Sequence, residues 1–148
     1  MKQPPLHIVL AEDDENDRMN FVEALGESKI NTVIHTVNDG IELMDYLSAK
    51  NVVLPELIFL DLNLPRKNGL ACLKEIRTSP TLKTVAIAIY STSSSEQDIN
   101  DTFMEGANVY IKKPNDFTVL KQSLDRVVRS TEMYRNPPFN ISNFLLKI

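Results

Sequence analysis

Cysteine occurs once in this chain of 148 residues and glycine only four times. The single Cys72 excludes an internal disulfide, and it reads as a small core thiol on a helix. No apolar run approaches the roughly 20 residues that a membrane helix needs. Met1-Lys2-Gln3-Pro4-Pro5 leads straight into a strand without a signal-peptide core. A cytoplasmic protein is therefore the expectation. The formal charge of −4 lacks the basic stripe of a nucleic-acid binder. Unclustered glycines leave no phosphate loop, which argues against a flavin-binding reading. What is present is 43% hydrophobic content, ordinary for one domain with a sizeable core.

The most informative stretch is Leu57-Ile58-Phe59-Leu60-Asp61, an apolar run ending in an aspartate with Pro65 and Gly69 soon after. Such a run reads as a strand buried on both faces of a parallel sheet, with Asp61 at its carboxyl end. Four more strands are predicted: His7 to Ala11, Thr32 to Val37, Val85 to Tyr90 and Asn108 to Lys112. Between them fall helical patterns. Met19, Val22 and Leu25, with Phe21 beside them, mark the first, which Gly26 ends. Ile41, Leu43, Met44 and Leu47 mark the second, and Leu70, Leu73 and Ile76 the third. Ser93 and Glu96 have capping-box spacing for the fourth, and Gly106 suits its C-terminal cap. Phe117, Leu120, Leu124, Val127 and Val128 give the clearest amphipathic helix, the fifth. The alternation predicts an α/β fold, a doubly wound parallel sheet.

In open sheets of this kind ligands bind at the carboxyl ends of the strands. Glu12, Asp13 and Asp61 would meet there. Two unit charges about 4 Å apart near a protein surface repel by roughly 4 kcal/mol. That is a large share of a typical domain stability of roughly 5–15 kcal/mol. A hard divalent cation resolves the conflict, and Mg²⁺ favours a couple of carboxylates plus waters and a phosphoryl oxygen. The plainer alternative, Glu12, Asp13 and Asp14 merely capping the first helix, does not account for Asp61. Ser91 and Lys113 end the fourth and fifth strands and could bind an anionic oxygen. A carboxylate can attack phosphorus to give an aspartyl-phosphate, with metal, hydroxyl and ammonium neutralising the transferring group.

These residues and their spacings resemble the receiver domain of bacterial two-component response regulators over about residues 6 to 130. The resemblance implies the flavodoxin-like (βα)5 fold with strand order 2-1-3-4-5. It assigns Glu12 and Asp13 to the acidic pair, Asp61 to the phosphoacceptor, and Asn63 to the residue whose carbonyl ligates Mg²⁺. Ser91 matches the hydroxyl switch, Tyr110 the aromatic switch, and Lys113 the lysine before a proline. Asn63 and Ser93 match positions that tune dephosphorylation. Leu62 to Gly69 and Tyr90 to Ile99 further resemble phytochrome-associated response regulators. One departure is Lys112, where the family has an apolar residue; on an edge strand it would discourage sheet-edge pairing.

The implied partner is a sensor histidine kinase or phosphotransfer protein, in this subgroup a phytochrome-like one. The implied output is an altered protein–protein contact, with a homodimer through the fourth helix, fifth strand and fifth helix as one form. His7 and His35 fall in strands and read as ordinary strand histidines, not phosphodonors. Residues 1–132 are expected to form the receiver and 133–148 a tail, with no output domain. Ile141, Phe144, Leu145 and Ile148 have helical spacing, with Asn140 as cap and Pro137-Pro138 before them. That tail could fold back on its own domain, reach into a homodimer, or dock a kinase. Of the rival readings, an aspartate phosphatase would need a second acid where Asn63 stands. A pseudo-receiver would have lost one of Glu12, Asp13, Asp61, Ser91 and Lys113.

Overall fold

The computed structural model describes residues 4–135 and 141–146. Five strands, β1 (Leu6–Ala11), β2 (Thr32–Val37), β3 (Leu57–Leu60), β4 (Ala86–Ser91) and β5 (Val109–Lys112), form one parallel sheet in the order β2-β1-β3-β4-β5. The helices between and after them are α1 (Glu15–Gly26), α2 (Gly40–Ser48), α3 (Gly69–Thr78), α4 (Glu96–Met104) and α5 (Phe117–Arg129). A 3-10 turn (Met133–Arg135) and a short helical turn, α6 (Ile141–Phe144), complete the described chain.

Alternation along each strand sorts the core into two layers. Val9, Ile58, Leu60, Ile87 and Ile89 face the layer of Leu43, Leu47, Cys72, Leu73 and Ile76 from α2 and α3. Ile8, Leu10, Leu57 and Phe59 face Phe21, Leu120, Leu124 and Val127 from α1 and α5. β3 and β4 are buried along their whole length, as their unbroken apolar runs require.

The structure corrects three local expectations. On α1 the buried residues are Phe21, Ala24 and Leu25, whereas Met19 and Val22 face outward. The Phe21 ring decides the rotation, because it meets Phe59 and Tyr90 edge-on at 4.8 and 5.4 Å. On α4 the N-cap is Ser95, not Ser93: its side chain accepts from the Asp98 amide at 3.1 Å. Ser93 instead donates to the Asp98 carboxylate at 2.6 Å and accepts from the Ser95 amide. The tail is not a continuous helical stripe. Ile141 is exposed, Phe144 is buried, and Leu145 leaves the helix to bridge β5. Pro137, Pro138, Phe139, Asn140 and Ile148 lie outside the described residues. Lys112 is exposed as expected, yet the β5 edge it sits on is paired by this tail.

Candidate functional site

The site is assembled by strand register. Ala11 lies opposite Leu60, so the next residues, Glu12 and Asp61, emerge side by side. Their amides are held by the sheet, Glu12 N–H on the Val37 carbonyl and Asp61 N–H on that of Ala11. β4 and β5 end with Ser91 opposite Lys112, and the Lys113 amide donates to the Ser91 carbonyl at 2.8 Å. The β3–α3 loop can close tightly only because residue 69 is glycine. A Cβ there would stand 2.2 Å from the Asp61 carbonyl oxygen. The Gly69 amide uses that proximity to donate to the Leu62 carbonyl at 3.0 Å.

Charge is concentrated where these ends meet. Glu12 and Asp61 are buried and Asp13 is exposed, and one carboxylate oxygen from each lies within 4.8 Å of the others. The Lys113 ammonium donates to Glu12 Oε1 at 2.5 Å, Asp17 Oδ2 at 3.0 Å and Asp61 Oδ2 at 3.2 Å. The other Asp61 oxygen accepts from the Asn63 amide at 3.0 Å. Burial pushes the Glu12 carboxyl up to about 7 against the pull of Lys113, with Asp61 adding to the rise. Burial draws the Lys113 ammonium down, but Glu12, Asp61 and Asp17 outweigh it and hold it above its usual range.

One ammonium therefore faces three carboxylates, and Asp13 adds a fourth acid at the rim. This donor set fits a hard divalent ion: all-oxygen, converging, and open on the Asp13 side. Glu12 and Asp61 supply the buried oxygens.

Of the remaining expected residues, Ser91 is fully buried, and its hydroxyl accepts from the Ser93 amide at 3.1 Å. Tyr110 is buried, and its hydroxyl donates to the Ser93 carbonyl at 2.9 Å. Asn63 and Ser93 stand on the loops that follow Asp61 and Ser91, Asn63 exposed and Ser93 half-buried. His35 stacks on Tyr46 at 4.0 Å, and the His7 amide is tied to Glu56.

Known proteins with this arrangement settle the class. The response regulator receiver domain family matches residues 8–125. This chain belongs to it. Response regulator Rcp1 of Synechocystis sp. is 32% identical over 135 residues, spanning 88% of this receiver chain and 89% of Rcp1. The phosphorylated cyanobacterial phytochrome response regulator RcpA superposes with a TM-score of 0.81 at 35% identity, covering 87% of this chain and 95% of RcpA. The Mn²⁺-bound form of Rcp1 superposes with a TM-score of 0.77 at 30% identity, covering 88% and 95%. The expected kinship with phytochrome-associated regulators is thereby borne out.

Sequence reading missed two residues of this receiver's site. Asp17 holds the Lys113 ammonium from the first turn of α1, and Arg18 donates to the Glu12 carbonyl at 2.9 Å. Asp17 stands in the acidic first turn of α1, directly after the strand end that carries Glu12 and Asp13, and that placement could have flagged it. Arg18 carries no such signal, because its partners are a backbone carbonyl and the side chain of Asn38, distant in the sequence.

Proposed function

We propose that this chain is a response regulator that accepts a phosphoryl group on Asp61 from a histidine kinase or phosphotransfer protein. Residues 1–132 form the receiver and 133–148 a tail. The observation that carries this reading is the convergence of Asp61 with Glu12, Asp13 and Lys113 at the carboxyl end of the sheet.

Glu12, Asp13, Asp61 and the Asn63 carbonyl would hold Mg²⁺, which supplies neutralisation of the oxygens on the transferring group. An Asp61 carboxylate oxygen attacks phosphorus, and the bond from phosphorus to the donor nitrogen breaks. The nitrogen's electron pair leaves with the imidazole, which takes up a proton. Lys113 turns from Glu12 and Asp17 toward the new phosphoryl oxygens, where its charge is worth more. The Ser91 hydroxyl donates to another oxygen and gives up its contact with the Ser93 amide. Tyr110 takes the space beside Ser91 and carries the change to the face formed by α4, β5 and α5. Asn63 and Ser93 flank the acyl phosphate, and neither can act as a strong base toward water, so both tune its lifetime.

The domain signals and is not a catalyst for exogenous substrates. Among the described residues no helix is long and apolar enough to cross a membrane, and action in the cytoplasm fits a kinase partner there. Kinship with RcpA and Rcp1 supports a phytochrome-like kinase. Output is a changed protein contact, with a homodimer through α4, β5 and α5 as one form. The test is incubation with Mg²⁺ and acetyl phosphate followed by intact mass. One phosphoryl adduct is expected in the native chain and none in Asp61→Asn; an adduct that persists in the variant would refute Asp61 as acceptor.

A further inference from the structure

The C-terminal segment grips the residue through which the proposed switch would run. Phe144 is fully buried, and its ring meets Tyr110 edge-on at 5.9 Å and Phe103 of α4 at 5.5 Å. Leu145 forms a parallel bridge with Tyr110, and the Leu146 amide donates to the Tyr110 carbonyl at 3.0 Å. Side chain and backbone of one strand residue are thus both held by the tail. At the ring's far end the Tyr110 hydroxyl donates to the Ser93 carbonyl, and the Ser93 amide donates to Ser91 Oγ. Contacts therefore run unbroken from a strand-end hydroxyl beside Asp61 to Phe144.

The sign of the coupling follows from where Tyr110 already sits. The ring is 1% exposed with its hydroxyl committed to the β4–α4 loop. β4 lies on one side of β5 and the tail on the other, so an outward swing of Tyr110 must first expel Phe144 and Leu145. A Ser91 hydroxyl drawn toward a phosphoryl group leaves a gap that only an inward Tyr110 fills, and interiors do not tolerate such gaps cheaply.

We propose that Phe144 is a positioning residue for the switch: by keeping Tyr110 inward, tail docking and phosphoryl acceptance at Asp61 favour each other. This rests on the function proposed above and adds its regulation. Coupling between two binding events is reciprocal, so each must strengthen the other by the same factor.

The test uses the full chain with Mg²⁺ and beryllofluoride, a stable stand-in for the acyl phosphate, read by calorimetry. Amide hydrogen exchange at Leu146 is followed in parallel. Phe144→Ala should weaken beryllofluoride binding by about fivefold or more, and beryllofluoride should slow Leu146 exchange in the native chain by a similar factor. In metal-free protein the same variant should speed exchange at Leu146. Tyr110→Phe keeps the ring but loses the Ser93 contact, so its tail should stay docked while the linkage to beryllofluoride disappears. Phe144→Leu, which keeps an apolar side chain, covers the case in which the alanine variant fails to fold, and should weaken binding in the same direction. Unchanged or tighter beryllofluoride binding in the folded Phe144 variants overturns the inference. A native chain that takes neither beryllofluoride nor a phosphoryl group overturns the proposed function itself, and this inference with it.

Discussion

The two ends of the sheet differ in a way that separates room from chemistry. At the amino ends of the strands a cavity of about 840 Å³ opens between Leu6, Ile30, Glu56, Val128 and Arg129. Beside Asn63 at the carboxyl ends there is a smaller cleft of about 420 Å³, reaching Asn68 and Asp98. Yet at the roomier end an acid is spent on structure: the Glu56 carboxylate accepts the His7 amide at 2.6 Å and finishes the start of β1. The tighter end buries Glu12, Asp61 and Ser91 around one lysine. Volume marks where elements splay apart, whereas acids held together against their own repulsion mark where a ligand is expected.

Substitutions at the two ends should divide accordingly. The largest effect falls on Lys113→Ala, which removes the cation aimed at the transferred group and leaves Glu12 buried without its partner. Phosphorylation by a small donor should slow by about a hundredfold, measured as the rate of adduct formation by mass. Next comes pH. Glu12 keeps a proton up to about 7 in the metal-free fold, and Mg²⁺ must displace it. Calorimetric Mg²⁺ affinity should be flat above that pH and fall by up to about tenfold per unit below it. The same shift sets the sign for stability. Between the ordinary glutamate range and about 7 the fold binds a proton that the unfolded chain does not, so this group's contribution is lost as pH rises through that window.

Gly69→Ala should cost about 1–3 kcal/mol in chemical denaturation, because its methyl group must push the Asp61 carbonyl aside. It should also slow phosphorylation, since the displaced backbone carries the acceptor. The smallest change is expected at the other end. Glu56→Gln should lower stability by about 1 kcal/mol and leave the phosphorylation rate unchanged. A comparable loss of rate in that variant would erase the distinction between the two ends.

Much of this was legible because a parallel sheet writes its plan locally. Each buried strand is an apolar run, and the residue that ends it is delivered to one edge, so Glu12, Asp61, Ser91 and Lys113 could be named before any coordinates. Cap choice was not legible: Ser93, Ser94 and Ser95 share the same chemistry, and only the backbone path selects Ser95. The facing side of α1 was equally ambiguous, since Met19, Val22 and Phe21 satisfy overlapping periodicities until Phe59 and Tyr90 supply a seat for the ring. Contacts between distant segments leave no periodic trace. The three-way grip on Lys113 and the seat of Phe144 beside Tyr110 belong to that class.

Cys72 lies fully buried in α3, its Sγ directed to the Gly40 carbonyl at 3.6 Å, and burial pushes its thiol up to about 11. The native molecule is therefore silent toward thiol reagents at neutral pH. A cysteine introduced on the outer face of α4, at Met104 for example, could carry a spin label or fluorophore without first removing the natural one. The protein thus comes ready for distance measurements on the very surface where its signal is expected to emerge.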